Sequence, residues 1–179
     1  MDQPLSPEDI AKEGKRAYER GNFIEAAQLY QASAQGYASK DATTSSAEML
    51  NNSSVAYLKA GDGTAALQTV GGTPKVFAAA GDIRRQGIAL GNLGAALEAL
   101  KRKQEAEEAY QQSADLLAQA GEAELRAQVM QSLSSLQLRG GRQFEAIASM
   151  QSGINGLPKQ SVKQKIISRL FRIQSKLLG

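Results

Sequence analysis

Three carboxylates stand close together at Glu105, Glu107 and Glu108, and paired carboxylates can do general acid–base work without histidine. Their place argues against it. Helical spacing starts at about residue 104, and acids in a first turn complement the helix dipole. The serine pairs Ser53–Ser54 and Ser134–Ser135 are candidate nucleophiles, but the chain of 179 residues contains no His and no Cys. That removes Ser-His and Cys-His catalysis, thiolate and imidazole metal sites, and disulfides. The glycine pairs Gly71–Gly72 and Gly140–Gly141 lack a following Gly-Lys-Ser/Thr and no parallel strands flank them, so no phosphate loop is expected. An enzyme, a cofactor and a small-molecule substrate are therefore not expected. The recognition chemistry that remains is amide chemistry, at Asn51, Asn52 and Asn92, which can donate to and accept from a peptide backbone.

What positions those amides is a repeat. The stretch EAAQLY at Glu25 returns as EAEEAY at Glu105 and EAIASM at Glu145, with AALQTV opening at Ala65 between them. Alanines recur every 40 residues at Ala26, Ala66, Ala106 and Ala146, each followed four residues later by Tyr30, Val70, Tyr110 or Met150. Sixteen residues before each alanine lies an apolar anchor: Ile10, Leu50, Leu90, Met130. Twelve before it lies a small residue: Gly14, Ser54, Gly94, Ser134. Five before it lies a turn: Gly21, Gly61, Lys101, Gly141. A small residue on a first helix and an alanine on a second let two backbones approach, and larger side chains fill the ridges between. A turn glycine can take positive φ and end the first helix, and the Asn22 or Asp62 after it can cap the second. The unit is an antiparallel helical hairpin, repeated four times.

These columns resemble the tetratricopeptide repeat, W-x2-L-G-x2-Y, then A-x3-F, then P. The first slot holds Ile10, Leu50, Leu90 and Met130; Leu93-Gly94 keeps the Leu-Gly pair; the Tyr slot holds Ala17, Tyr57, Leu97 and Gln137. Pro158 fills the last slot, where the other repeats have Ala38, Ala78 and Ala118. The repeat is longer than the family's period of about 34 residues, and in that respect is similar to kinesin light chains and related scaffolds. The resemblance implies an all-α, right-handed α-solenoid of four hairpins over residues 1–158 (about 6–41, 44–81, 83–121 and 122–158). A basic amphipathic helix follows over 159–179. Helices are expected at about 7–20, 23–39, 44–60, 63–80, 83–100, 104–120, 122–139, 143–154 and 160–178. A discontinuity is expected near Gly71–Pro74, because two glycines and a proline break a helix.

The resemblance also implies a function: binding a protein or peptide in the concave groove lined by the first helices. In the repeat register that face carries Lys12, Lys15, Asn51, Asn52, Val55, Gly91, Asn92, Ala95, Gln128, Gln131 and Ser135. A carboxylate clamp of the kind the family uses would need bases at the inward positions of the third repeat, which are Ile88 and Asn92, so none is expected. The tail is chemically distinct. Residues 146–179 hold six bases and no acid, against a net −3 over residues 1–145. Val162, Ile166, Leu170, Ile173 and Leu177 form one helical stripe; Ile167, Phe171 and Leu178 widen it, and Lys165, Arg169, Arg172 and Lys176 flank it. The tail is read as a cap on the solenoid, with a homodimer contact, an anionic membrane surface or an acidic protein as alternatives. Nucleic acid is not expected, because six charges without a series of interleaved aromatic stacking residues are a weak signal. The start, MDQPLSPEDI, lacks the apolar core of a signal peptide and no run approaches a transmembrane length, so a cytoplasmic location is expected.

Overall fold

The computed structural model describes residues 5–155 and Leu157. Its elements are helices, in the order α1 (Pro7–Glu19), α2 (Phe23–Ala38), α3 (Thr43–Lys59), α4 (Gly63–Val70), α5 (Thr73–Ala79), α6 (Ile83–Ala99), α7 (Lys103–Gln119), α8 (Ala123–Arg139) and α9 (Gln143–Asn155). The first helix starts where local chemistry dictates. Ser6 Oγ accepts from the Asp9 N–H at 3.1 Å, Pro7 occupies the first turn, and Glu8 and Asp9 face the dipole.

The turns reveal a finer step than 40. Left-handed backbone occurs at Gly21, Asp41, Gly61, Gly81, Lys101, Gly121 and Gly141, so it recurs every 20 residues through both kinds of connection. Each such residue closes a helix in the same way. At the first, the Gly21 N–H donates to Tyr18 O and the Asn22 N–H to Ala17 O, the paired bonds of a Schellman end. The next residue is already the N-cap of the following helix, so each link is as short as the chain allows. Asp62 and Asp82 cap with their side chains, accepting from the N–H groups of Ala65 and Arg85. Asn22 does not; its Nδ2 donates to Glu25 Oε2 instead.

Short links force antiparallel packing of consecutive helices, and the first helices α1, α3, α6 and α8 line up as one layer above the second-helix layer α2, α4–α5, α7 and α9. The core lies between the layers and is thin and alanine-rich, with Ala17, Ala26, Ala66, Ala96 and Ala106 fully buried. At Gly14 and Gly94 the small first-helix slot meets the tyrosine of the second helix, whereas at Ser134 it meets the alanine, the hydroxyl donating to Ala146 O. A Cβ on Gly14 would meet the Tyr30 ring at 3.2 Å, and one on Gly94 would meet the Tyr110 ring at 2.7 Å. Hydroxyls tie the layers. Ser33 Oγ donates to Pro7 O at 2.7 Å, and 80 residues later Ser113 Oγ donates to Gly87 O at 2.6 Å.

The second helix of the second hairpin is broken as expected. It stops at Val70, passes Gly71–Gly72, and restarts with Pro74 in the first turn of α5. Thr73 Oγ1 donates to Val70 O across the break at 2.9 Å, so the interruption is ordered and buries Phe77 beneath it.

Candidate functional site

The first-helix layer presents a groove that runs across successive repeats. It consists of three adjoining cavities. One of about 130 Å³ lies between α3 and α6, lined by Asn51, Asn52, Glu48, Arg84, Arg85 and Ile88. It shares Ile88 with a second of about 260 Å³ between α6 and α8, where Gly91, Asn92, Ala95 and Gln128 sit. That one shares Ser132 with a third of about 270 Å³, lined by Gln131, Ser135, Glu98 and Arg139. Each cavity exists because side chains at equivalent positions 40 residues apart stand across a gap between parallel neighbouring helices, and short or slender ones fail to close it.

Amides mark the floor. Asn92 Nδ2 donates to Asn51 Oδ1 at 3.1 Å, joining α6 to α3 across the seam between two repeats. Asn51 is buried and Asn92 half-buried. The structure thus brings together Asn51, Asn52, Asn92, Gln128, Gln131 and Ser135 along one groove. Lys12 and Lys15 line none of these cavities; Lys12 pairs with Asp9 at 2.7 Å and Lys15 with Glu19 at 3.8 Å, both on the surface of α1. Val55 is half-buried on α3, away from the cavity walls. The tail positions Lys165, Ile167, Arg169, Phe171, Arg172, Lys176 and Leu178 lie outside the described residues.

Charged residues missing from the sequence reading flank the groove. Arg85 pairs with Glu48 at 3.3 Å and Arg84 with Glu122 at 2.5 Å, each binding one repeat to another, while Arg85 also pairs with Asp82, the N-cap of its own helix, at 3.2 Å. Arg139 pairs with Glu98, which also accepts from the Tyr110 hydroxyl at 2.8 Å. Burial pushes the Tyr110 phenol above its ordinary range, and the Glu98 carboxylate beside it adds to the effect. Arg84 and Arg85 do lie on the first helix of the third repeat, but both guanidinium groups are spent on these carboxylates.

The three clustered acids do not converge. Glu105 is held by Arg102 at 2.5 Å, Glu107 by Arg142 at 2.5 Å, and Glu108 accepts from Gln104 at 3.4 Å. Glu107 also accepts from Gln137 Nε2 at 3.1 Å, so it acts as an inter-repeat clamp and not as a helix-start charge. The Arg142 hydrogen bond holds its carboxyl below the ordinary glutamate range. Ser134 Oγ donates to Ala146 O at 2.6 Å, and Ser54 Oγ is fully buried; neither faces a base.

Comparison with known proteins supplies the family. No curated protein matches the chain. One solved structure that does is of a protein from Podosopora anserina, described as a kinesin light chain with nearly identical TPR-like repeats. It is 17% identical, superposes with a TM-score of 0.71, and aligns over 86% of this chain and 76% of that one. At that identity the likeness shows the fold, a TPR-type solenoid of helical hairpins. The family model for SNAP, the soluble NSF attachment protein, matches residues 12–167, which takes in all four hairpins apart from the first turn. Repeats, turns and groove thus fall within that match, and the chain belongs to the soluble NSF attachment protein family.

Proposed function

We propose that this chain is a non-catalytic scaffold that holds an extended peptide segment of a partner protein in the groove of its first-helix layer. The carrying observation is the Asn51–Asn92 pair on the floor of adjoining cavities. One hydrogen bond joins the two amides, and each side chain has capacity beyond it for a peptide N–H or C=O. Gln128 and Gln131 extend the amide row onto α8. The paired charges on the rim favour a partner segment that is read mostly through its main chain. The family is named for attachment of another protein, NSF, which is binding of the same general kind.

Selection of short random peptides against the full chain tests the proposal. Binders are expected to lose roughly tenfold in affinity when Asn51 and Asn92 are both changed to Ala, the value of about one lost hydrogen bond or slightly more. Peptides that bind the double variant as well as the unaltered chain would remove the groove from the proposal.

A further inference from the structure

The first two cavities of the groove are the same place in successive repeats, and their chemistry is opposite. Adding 40 to Glu48, Asn51, Phe77, Arg85 and Ile88 of the first gives Ile88, Gly91, Leu117, Leu125 and Gln128 of the second. An ion pair, Arg85 with Glu48, fills the first. In the second, the carboxylate has become Ile88, the guanidinium has become Leu125, and the amide of Asn51 has become no side chain at all, at Gly91. The volume doubles, from about 130 to about 260 Å³.

Gly91 is an unusual choice inside a helix, where glycine is costly relative to alanine. The other two glycines of α6 are required by packing: a Cβ on Gly87 would meet Leu117 Cγ at 2.9 Å, and one on Gly94 would meet Tyr110 at 2.7 Å. At Gly91 a Cβ would approach Ser113 Oγ at 3.2 Å and Val129 Cγ2 at 3.3 Å, so a small shift would admit it. What its absence leaves open is the space between Ile88, Leu125 and Val129.

The geometry points to this space as a socket for one bulky, uncharged apolar side chain of the bound segment, and to Gly91 as the residue that sets that preference. The inference rests on the groove reading above and names the partner's chemistry within it. Size and charge both support it. About 260 Å³ is smaller than the roughly 300–1,000 Å³ of small-molecule sites and is on the scale of a side chain. None of the residues lining it is charged, and the nearest charges in the adjoining cavities are paired, Arg84 with Glu122, Arg85 with Glu48 and Arg139 with Glu98. A charged side chain entering here would lose water and find no counter-ion, whereas a leucine- or phenylalanine-sized one would bury its surface against Ile88, Leu125 and Val129. Asn92 and Gln128, which line the same cavity, are placed for the main chain on either side of that residue.

The test is selection of short random peptides on the full chain and on two variants that copy the chain's own alternatives: Gly91→Asn, as at Asn51, and Leu125→Arg, as at Arg85. Leu125 is only half-buried, so its variant folds without a core penalty. Peptides recovered on the unaltered chain should share one large apolar position. Changing it to Ala should cost roughly tenfold or more in affinity, but less than about threefold on either variant, the mark of direct coupling. Peptides that weaken with Asn92→Ala yet lack an apolar position, or whose apolar position matters equally on all three proteins, would overturn the socket and leave the groove standing. Peptides indifferent to Asn92→Ala as well would overturn both.

Discussion

The tyrosine seats offer a matched pair of perturbations. Gly14 and Gly94 occupy the same column of the repeat, and each faces the ring of a buried tyrosine on the second helix. The gaps differ: a Cβ on Gly94 would lie 2.7 and 2.8 Å from two atoms of the Tyr110 ring, whereas one on Gly14 would lie 3.2 Å from two atoms of the Tyr30 ring. Real Cβ atoms do not approach within 3.0 Å, so Gly94→Ala must push the ring aside. Tyr110 cannot yield easily, being 3% exposed and hydrogen-bonded to Glu98. Tyr30 is 8% exposed and can move by a few tenths of an ångström. Overpacking costs about 1–3 kcal/mol, and a helical Gly→Ala change returns about 0.5–1 kcal/mol. The net for Gly94→Ala is a loss of about 1–2 kcal/mol, lowering Tm by roughly 3–6 °C for a chain of this length. Gly14→Ala should stay within about 0.5 kcal/mol of the unaltered protein, because the two contributions offset. Thermal and urea unfolding followed by helical circular dichroism reads the difference, and amide exchange should show the loss concentrated in α6 and α7, since each repeat contacts only its neighbours. A Gly94→Ala protein as stable as the original, or a Gly14→Ala protein harmed more, would refute the assignment of these glycines as ring seats.

Lys101 is the long side chain in the left-handed series, at φ 61°. Lys101→Gly removes strain of about 1–2 kcal/mol and returns about 0.4–1 kcal/mol in unfolded-state entropy, so the melting temperature should rise by a few degrees. Glu107 has its folded pKa lowered, first by the Arg142 hydrogen bond. A lowered carboxyl contributes stability above its unfolded pKa of about 4.3 and loses it as pH falls through the folded value. Urea midpoints should therefore fall less steeply below about pH 4.3 in Glu107→Gln than in the unaltered chain. Tyr110→Phe removes the donor to Glu98 and should cost about 1 kcal/mol in a urea melt, with the helix content of the folded state unchanged.

Much of the fold was legible because its causes are local. The Gly71–Pro74 break could be read from the residues that make it, and helix limits followed the turn residues to within about two positions, the usual spread for such boundaries. The turn series was half read. Gly21, Gly61, Lys101 and Gly141 stood out at a step of 40, but Asp41, Gly81 and Gly121 belong to the same series at a step of 20, visible only when both arms of the hairpin are seen to be equally long. Asn22 takes the N-cap position as expected, but its side chain does not cap: its Nδ2 donates to Glu25. Glu107 looked like a helix-start charge because its partner, Arg142, lies in the next hairpin.

The groove divides along the same line. Helical periodicity decides which residues share the inward face, so Asn51, Asn52, Asn92, Gln128, Gln131 and Ser135 could be named from spacing. Lys12 and Lys15 satisfied the same spacing but stand on the surface of α1, paired with Asp9 and Glu19. How far apart two first helices stand, and so whether a gap opens between them, is decided by contacts between residues about 40 apart: Asn92 with Asn51, Arg85 with Glu48, Arg84 with Glu122. Hairpins, turns and inward faces could be written down from residue order, because each depends on neighbours within a few positions. That Gly91 opens a socket where Asn51 closes one emerges from the packing of whole repeats, because a cavity is a property of two surfaces and the chain carries them on different hairpins.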